Sequence, residues 1–322
     1  MDPRRKLPQG PSHDASIPGT IGPHHLHKSS PTTAVHDDDG DGPHDYWVVI
    51  TGDDDDLPGI NGGILVLAAT TANDYDLAQR KGTSMSRTAV IAGVGPGLGA
   101  SLARRLAAEG CTIGLLSRTM DFTEGLAAEL SAQGSTTLAM ATDIADEAAV
   151  ATSFAQIRQQ LGPVDVLVNH ASASAWKGLL EVSAEEMERA WRVSVLGAFL
   201  CSREAARDML AGDGGTILFT GATSGVRGRA GAIDFSSAKF GMRGLADSMA
   251  RELWPQGIHV AHIIVDGMID TASLRQNYQL AEDEALLDPE DIAQVYWDLV
   301  TQRRGAWSFE VDVRPHREAF FE

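Results

Sequence analysis

Short apolar runs alternate with amphipathic stretches along the chain from about residue 85 to its end. Each run has the length of a strand, and most of the runs have the predominantly apolar character of a buried one. The predicted strands are Ala89–Ala92, Thr112–Leu116, Thr137–Ala141, Val164–Val168, Thr216–Phe219, His259–Val265 and Trp307–Val313. Because most of these strands are predominantly apolar and are separated by helices, they indicate a parallel sheet that is covered on both faces.

The stretches between these strands have the apolar spacing and the capping residues of helices. The predicted helices are Ala100–Glu109, Thr123–Ala132, Asp146–Leu161, Ser183–Leu210, Ser236–Leu253 and Pro289–Thr301. Ser183 and Glu186 form a capping-box signature, and Pro289 suits the first helical position. The sequence therefore predicts the α/β class, with a Rossmann-type doubly wound parallel sheet in a three-layer α/β/α arrangement. Ligands of such sheets bind at the carboxyl ends of the strands.

The first 84 residues have a different composition. They hold most of the chain's 13 prolines and 10 histidines, many aspartates and no glutamate. Too little apolar area is available here to offset the entropy of ordering, so this segment is predicted to be mostly disordered. Two short strands, at Tyr46–Thr51 and Ile64–Ala69, are possible without an evident partner. Met85 stands directly before the first clear strand, so translation starting there is an alternative, and residues 85–322 form the predicted single domain.

Two clusters in this N-terminal segment resemble metal sites only in part. Asp37, Asp39 and Asp41 match the first half of a calcium loop, but Val48 stands where that loop needs a glutamate. The histidines at 24, 25 and 27 have no further ligand pattern. We therefore predict no metal.

Charge and cysteine content limit the kinds of binding partner and the cellular compartment that are expected. The formal net charge is −18 and the pI is about 4.9, which argues against nucleic acid and anionic membranes. No apolar run approaches the roughly 18 residues of a membrane span. The 2 cysteines form no disulfide framework, so a reducing cytoplasm is expected.

Four glycines follow the first strand at alternate positions, from Gly93 to Gly99. A strand, a glycine turn and then a helix bring backbone N–H groups and the positive end of a helix dipole toward a phosphate. This stretch predicts a dinucleotide site, and a glycine-rich turn without a ligand is the alternative.

Several motifs at consistent spacing resemble the short-chain dehydrogenase/reductase family over roughly Ser86–Thr271. They are Gly93-x-x-x-Gly97-x-Gly99, Asp143-Ile144, Asn169-His-Ala-Ser172, Phe235-Ser-Ser-Ala-Lys239 and Asp266-Gly267 through Thr271. Ala92 stands where the family usually has threonine before its glycines. The resemblance implies an NAD(P)-binding protein, a small carbonyl or alcohol substrate, and a homodimer or homotetramer. It assigns cofactor contacts to Gly93, Gly97, Leu98, Gly99, Asp143, Ile144, Asn169, Lys239 and Thr271.

Arg118 suggests which cofactor is preferred. It follows the second strand, where an acidic residue would hold the ribose hydroxyl of NAD. Arginine binds phosphate through two donors, so NADP is favoured and NAD stays open.

The positions that carry catalysis in this family depart from its pattern. Phe235 stands at the tyrosine position, Ala222 at the serine position and Ser194 at the asparagine position, while Lys239 is retained. A phenyl ring supplies no titratable group for acid–base catalysis. The chain resembles an atypical subgroup of the family that has phenylalanine for tyrosine and keeps the lysine.

Several residues are candidates to replace the missing groups. Thr220, Thr223 and Ser224 could donate to a carbonyl, and His170 could move a proton. Asp234 and Asp266 are expected to flank the pocket. Lys239 could act as an acid if burial lowers its pKa, although ribose binding is its more direct role. Ser172 is expected to be a turn residue.

Two functions stay open at this point. The chain is an oxidoreductase with a non-standard proton donor, or it is a catalytically impaired NADP(H)-binding sensor or assembly protein. The acidic stretch Tyr278–Leu287 is a candidate lid over the substrate.

Overall fold

The computed structural model describes residues 33–35, 47–50, 65–68 and 86–317. The chain divides into two units, Met1–Ser84 and Met85–Glu322. The aspartates at 37, 39 and 41, the three N-terminal histidines and Met85 lie outside the described residues.

The first unit contains a small antiparallel sheet. Its strands are β1 (Thr33–Val35), β2 (Trp47–Ile50) and β3 (Leu65–Ala68), in that order. The second and third of these match the two short strands predicted in this segment. The expectation that they lack a partner was wrong, because Trp47 is registered with Ala68 and Ile50 with Leu65.

The second unit is built around a seven-stranded sheet in the order β12-β9-β8-β7-β4-β5-β6. Every neighbouring pair in this sheet is parallel. The strands are β4 (Thr88–Ala92), β5 (Thr112–Ser117), β6 (Thr137–Ala141), β7 (Val164–Asn169), β8 (Gly215–Thr220), β9 (Ile258–Val265) and β12 (Glu310–Val313). Two further short strands, β10 (Met268–Ile269) and β11 (Leu286–Leu287), pair with each other in parallel.

Helices cover both faces of this sheet. They are α1 (Leu98–Ala108), α2 (Thr123–Ala132), α3 (Glu147–Gln160), α4 (Ala184–Trp191), α5 (Gly197–Ala211), α6 (Ile233–Leu253), α7 (Ala272–Asn277) and α8 (Pro289–Val300). No helix within residues 86–317 is long and apolar enough to cross a bilayer.

Successive residues of the central strand supply two separate cores. Ala89 and Ile91 pack with α1, α2 and α8, whereas Val90 and Ala92 pack with α3, α5 and α6. All four side chains are fully buried, as expected for a strand enclosed between two helical layers. The predicted three-layer, doubly wound α/β fold is confirmed.

The strand order reverses direction at β4, which pairs with β5 on one side and β7 on the other. Backbone bonds join the loops at this point: Gly93 N–H donates to the Leu116 oxygen, and His170 N–H donates to the Ala92 oxygen. Crevices form at such switch points, outside the carboxyl ends of the strands. The glycine turn and the loop after β7 therefore meet at one edge of the sheet.

The long helix predicted over Ser183–Leu210 contains an irregular turn. The capping box between Ser183 and Glu186 is present, and α4 then passes into a π-helical segment, Arg192–Leu196, before α5. Single π turns within helices occur often at functional sites. Ser194 lies in this segment and is fully buried.

Candidate functional site

The glycine turn contains two positions that need glycine. Gly93 and Gly97 have φ angles of 101° and 116°. A Cβ atom on Gly93 would lie 2.4 Å from the Ala171 Cα, and one on Gly97 would lie 2.8 Å from the Thr271 Cγ2. By contrast, a Cβ on Gly95 would meet nothing within 4 Å, because this residue faces open space. The chain thus folds back tightly while leaving room on its outer side.

The amino terminus of α1 is open toward an anion. Its N-cap is Gly97, which offers no side-chain cap, and its first turn holds no acidic residue. Free N–H groups and the positive end of the helix dipole are therefore available for a phosphate. Leu98 and Gly99 line the space in front of this terminus.

This space is a cavity of about 310 Å³, the glycine-turn cavity, lined by Gly93–Pro96 and by the ends of the neighbouring strands. Arg118, Asp143 and Ile144 lie in its wall. The exposed Arg118 forms no ion pair with any described residue, so its guanidinium is available to a ligand. Asp143 accepts a hydrogen bond from the Ala145 N–H at 3.0 Å, which fixes its carboxylate.

A second cavity, the Lys239 cavity, has a volume of about 970 Å³. It lies at the carboxyl ends of β8 and β9 and is covered by the segment from β10 through α7. His170 and Ser172 line both cavities, so the two adjoin. Together they form one continuous site at the switch point, where doubly wound sheets bind their ligands.

Lys239 is the central polar group of the larger cavity. It is 3% exposed, and its Nζ donates to the main-chain oxygen of Thr220 at 2.6 Å. Burial lowers the pKa of Lys239 to about 8, because the charged form loses hydration. The Nζ lies 5.5 Å from the centre of the Phe235 ring. The retained lysine therefore titrates near neutrality beside the position of the missing phenol.

A hydrogen-bonded chain connects His170 to the core. The Tyr296 hydroxyl donates to the Thr220 Oγ1 at 2.8 Å, and this oxygen lies 3.1 Å from the His170 Nδ1. Burial, with a smaller contribution from the charge of Lys239, lowers the pKa of His170 to about 4. His170 is consequently neutral at pH 7. Burial also raises the pKa of Tyr296, so this phenol stays protonated.

Phe235 and Ala222 both lie in the wall of the Lys239 cavity. Neither side chain carries a polar atom. Ser194, at the asparagine position, is absent from the lining of both cavities, and its Oγ has no hydrogen-bond partner among the described residues. The structure thus brings together the tyrosine, serine and lysine positions and leaves Ser194 buried outside both cavities.

The polar candidates around Ala222 are partly engaged already. The Thr223 hydroxyl donates to the Asp266 carboxylate, which also forms an ion pair with Arg314. Ser224 is buried in the cavity wall. Thr271 lines the cavity and caps α7, since its Oγ1 accepts the Leu274 N–H at 3.1 Å.

Two polar candidates point elsewhere. Asp234 was expected to flank the pocket, but it is absent from the lining of both cavities. Its Oδ2 accepts the Ala175 N–H at 2.5 Å and holds the loop after β7. Asn169 is also absent from both linings and donates to the Ser202 Oγ at 2.9 Å. Both side chains support the walls of the site from behind.

Three residues of the Lys239 cavity, Trp176, Arg227 and Arg229, were not predicted from the sequence. They lie in irregular loops, where no periodic pattern indicates the direction of a side chain. Tyr296 was also missed, because its contact with Thr220 joins residues 76 positions apart. A tryptophan within a Ser/Ala-rich loop was the one available signal.

A doubly wound sheet with an open glycine turn and an adjoining lysine cavity at its switch point is the arrangement of the dinucleotide-binding α/β folds. A model of the short chain dehydrogenase family matches residues 87–282, and the chain belongs to this family of oxidoreductases.

Individual relatives agree with this assignment. The 3-oxoacyl-[acyl-carrier-protein] reductase MabA of Mycobacterium tuberculosis is 30% identical over 191 residues, which are 59% of this chain and 72% of the relative. A short-chain dehydrogenase structure from Rhodopseudomonas palustris is 34% identical with a TM-score of 0.63, covering 73% of this chain and 100% of that one. A metagenomic short-chain oxidoreductase in complex with NADP is 26% identical with a TM-score of 0.63, covering 72% and 99% of the two chains.

Proposed function

We propose that this chain is an NADP-dependent oxidoreductase of an atypical short-chain dehydrogenase subgroup, in which phenylalanine replaces the tyrosine and the lysine is kept. Its substrate is a small carbonyl compound or the corresponding alcohol. The observation that carries this proposal is the environment of Lys239, a buried amine with a pKa of about 8 in the wall of a cavity that adjoins the glycine turn.

The residues around the glycine turn fit a dinucleotide phosphate. The uncapped terminus of α1 offers N–H donors, and Gly95 leaves space for an anion to approach them. Arg118 would hold a 2′-phosphate, which supports NADP over NAD. Asp143, Ile144, Lys239 and Thr271 are the other proposed cofactor contacts, with Asn169 supporting the loop after β7. A bound nicotinamide would supply the hydride.

Lys239 would supply the proton. Reduction of a carbonyl adds a hydride to carbon and a proton to oxygen, and general acids work best with a pKa near the operating pH. The Lys239 ammonium meets that requirement, whereas His170 has a pKa of about 4 and is already neutral. Loss of a proton from Lys239 Nζ to the substrate oxygen leaves a neutral amine, which burial favours.

The second candidate is a protein that binds NADP(H) without turnover, as a sensor or an assembly partner. One observation favours it: the side chains at the tyrosine and serine positions are apolar, and the Phe235 ring packs against Trp176 at 4.8 Å between centres. Orientation and polarisation of a carbonyl would then rest on fewer groups than in the rest of the family.

The two functions are separated by titrating NADPH into the protein by fluorescence and then screening aldehydes and ketones for NADPH oxidation. We expect binding and slow turnover, with Lys239→Met lowering kcat roughly a hundredfold or more. Arg189→Leu, an exposed change on α4 outside both cavities, serves as the control. Tight NADPH binding with no oxidation across the screen would favour the non-catalytic function.

The helices α4, α5 and α6 support the proposed homodimer or homotetramer. They expose large apolar side chains, Trp191, Phe199 and Phe240, at 40–43% of their surfaces. Trp191 donates to the Ser237 Oγ at 3.1 Å, which fixes α4 against α6 as one surface. We expect Phe199→Glu combined with Phe240→Glu to yield monomers in light scattering after gel filtration. An unchanged mass would exclude this surface as the interface.

A further inference from the structure

Trp176 is held in an unusual conformation at the mouth of the Lys239 cavity. It has the one positive φ among the non-glycine residues of 86–317, at 54°. An L-residue in this region is strained by about 1 kcal/mol or more, and strain of this kind occurs often at ligand sites. The indole is 53% exposed, so burial of this side chain is not what holds the conformation.

Both neighbours of Trp176 are anchored. The Ala175 N–H donates to the buried Asp234 carboxylate at 2.5 Å. On the other side, Lys177 pairs with Glu186 in the first turn of α4 at 2.6 Å. These two contacts fix the loop on each side of Trp176, so the indole is presented to the cavity in a defined place.

The fixed indole packs against the residue that replaces the family's tyrosine. The rings of Trp176 and Phe235 have centres 4.8 Å apart with planes tilted by 34°. We call these two side chains the aromatic shelf. Both line the Lys239 cavity. Phe235 therefore contributes an apolar surface beside the lysine in place of an acid.

Two arginines stand beside the aromatic shelf. The Arg229 guanidinium lies 5.9 Å from the centre of the Trp176 ring, and Arg227 lines the same cavity. Neither forms an ion pair with any residue of the described chain. Other arginines in this acidic protein do so, for example Arg243 with Glu310 at 2.6 Å. A guanidinium that faces a cavity and has no carboxylate partner in an ion pair is suited to bind a ligand oxyanion through paired N–H donors.

The remaining wall is mostly apolar. Met268, Ile269, Leu274 and Tyr278 lie on it, together with the acidic residues Asp266 and Glu284. Asp266 is engaged by Arg314, and Glu284 pairs with neither Arg227 nor Arg229. A ligand in this cavity thus meets aromatic and aliphatic surfaces with a positive charge at one side.

The geometry points to a substrate class: a planar aromatic or conjugated carbonyl compound that also carries a carboxylate. Its flat body lies on the aromatic shelf, its carboxylate binds Arg229 and Arg227, and its carbonyl group reaches toward Lys239. This inference rests on the proposed function, whose carbonyl chemistry it makes more specific.

The test compares matched aldehydes with NADPH. 4-Formylbenzoate and its methyl ester share a planar body and differ in charge, and trans-4-formylcyclohexanecarboxylate keeps the charge without the flat ring. We expect kcat/KM for 4-formylbenzoate to exceed the value for the ester by about tenfold or more, as for a lost charge-assisted hydrogen bond. It should also exceed the value for the cyclohexane compound, which keeps the charge but loses contact between aromatic rings. Arg229→Gln should reduce the preference over the ester by about the same factor, and the exposed Arg189→Gln should not change it. Equal kcat/KM values of the wild type for 4-formylbenzoate and its methyl ester would overturn the inference while leaving the proposed function intact.

If no aldehyde is reduced, a binding measurement tests the inferred ligand class separately from the proposed oxidoreductase activity. We expect 4-formylbenzoate to quench tryptophan fluorescence of the NADPH-loaded protein, with a smaller change in Trp176→Phe and weaker binding in Arg229→Gln. Such a result without turnover would sustain the substrate class as a ligand class and refute the oxidoreductase proposal. Absence of quenching together with absence of turnover would overturn both. 4-Formylphenyl phosphate serves as a further probe, and its preference over the carboxylate would replace the proposed class with phosphate esters.

Discussion

The Lys239 ammonium donates to the main-chain oxygen of Thr220 at 2.6 Å, at the end of β8 and with almost no exposure to solvent. The same threonine accepts the Tyr296 hydroxyl through its side chain and lies beside His170. One residue thus connects the lysine, the histidine and the core. The Lys239 ammonium bonds to a neutral carbonyl oxygen and not to a carboxylate. Its positive charge is therefore not stabilised by a negative one, which favours loss of the proton.

The free energy of unfolding should depend on pH because Lys239 is buried. Burial lowers the pKa of Lys239 from its ordinary value near 10.5 to about 8. Between these values the unfolded chain binds more protons, so the wild type gains stability as pH rises through this window. Below pH 8 the cost of burying the charge is present in full. Relative to Lys239→Met, the wild type should gain about 3 kcal/mol between pH 7 and pH 10.5.

Urea unfolding of both proteins at these two pH values measures that difference. Other groups that titrate in the window, including the two buried cysteines, are common to both proteins and cancel. A difference in unfolding free energy that is independent of pH would show that Lys239 has an unshifted pKa in the folded state.

Restoring the family's catalytic groups tests what their loss costs. Phe235→Tyr places a phenol beside an ammonium that now lies 5.5 Å from the ring centre, and Ala222→Ser adds a hydroxyl to the same wall. Lys239 already supplies a proton, but the added serine hydroxyl donates to the oxyanion that develops on the substrate. One such donor contributes about a hundredfold or more, so the double variant should reduce neutral aldehydes about that much faster. The rate of NADPH oxidation measures this, with Phe235→Leu as the control for loosened packing. A double variant no faster than the wild type would mean that the pocket no longer admits a carbonyl beside Lys239.

The sequence was sufficient to predict the fold because most of the strands are predominantly apolar. Val164–Asn169 and Ile258–Val265 are mostly apolar and show no regular apolar–polar alternation. Some helices of the fold carry explicit caps, such as Asp146 and Ser183. The turn at the switch point was predictable because Gly93 has a positive φ, which residues with a side chain rarely adopt. These signals are local, and the comparisons confirmed the family that they indicated.

The larger cavity was less predictable because its shape depends on contacts that are distant in the sequence. Trp176 meets Phe235 across 59 positions of loop and helix, and its direction depends on anchoring by Asp234 and Lys177. Asp234 itself was expected at the pocket, yet a backbone donor at Ala175 draws its carboxylate away. No periodicity encodes such contacts.

Cofactor preference should depend on Arg118. Its guanidinium lies in the wall of the glycine-turn cavity and forms no ion pair within residues 86–317. Loss of charged hydrogen bonds to a phosphate costs about 1.5–3 kcal/mol, so Arg118→Leu should weaken NADPH binding roughly ten- to a hundredfold. NADH binding should change little, and Arg118→Asp should favour NADH. Fluorescence titration of both cofactors measures this, with Arg189→Leu as the control. Equal losses for NADPH and NADH in Arg118→Leu would place the guanidinium away from the 2′-phosphate.

Neighbouring glycines of the turn should respond in opposite ways to the same substitution. In Gly93→Ala the new Cβ would meet the Ala171 backbone at 2.4 Å, in a residue whose φ is 101°. We expect this variant to lose several kcal/mol of unfolding free energy, since strain and the clash add. Gly95→Ala meets nothing within 4 Å and should fold with wild-type stability.

Gly95 nevertheless lines the glycine-turn cavity, so the added methyl group occupies space that a phosphate needs. We therefore expect Gly95→Ala to weaken NADPH binding at least tenfold while its melting temperature without cofactor stays unchanged. Gly93→Ala then loses stability and Gly95→Ala loses NADPH affinity, although the two positions are only two residues apart. If Gly95→Ala bound NADPH as tightly as the wild type, the cofactor would not approach this turn, because even a single methyl group there reduces the space left for a phosphate beside the α1 terminus.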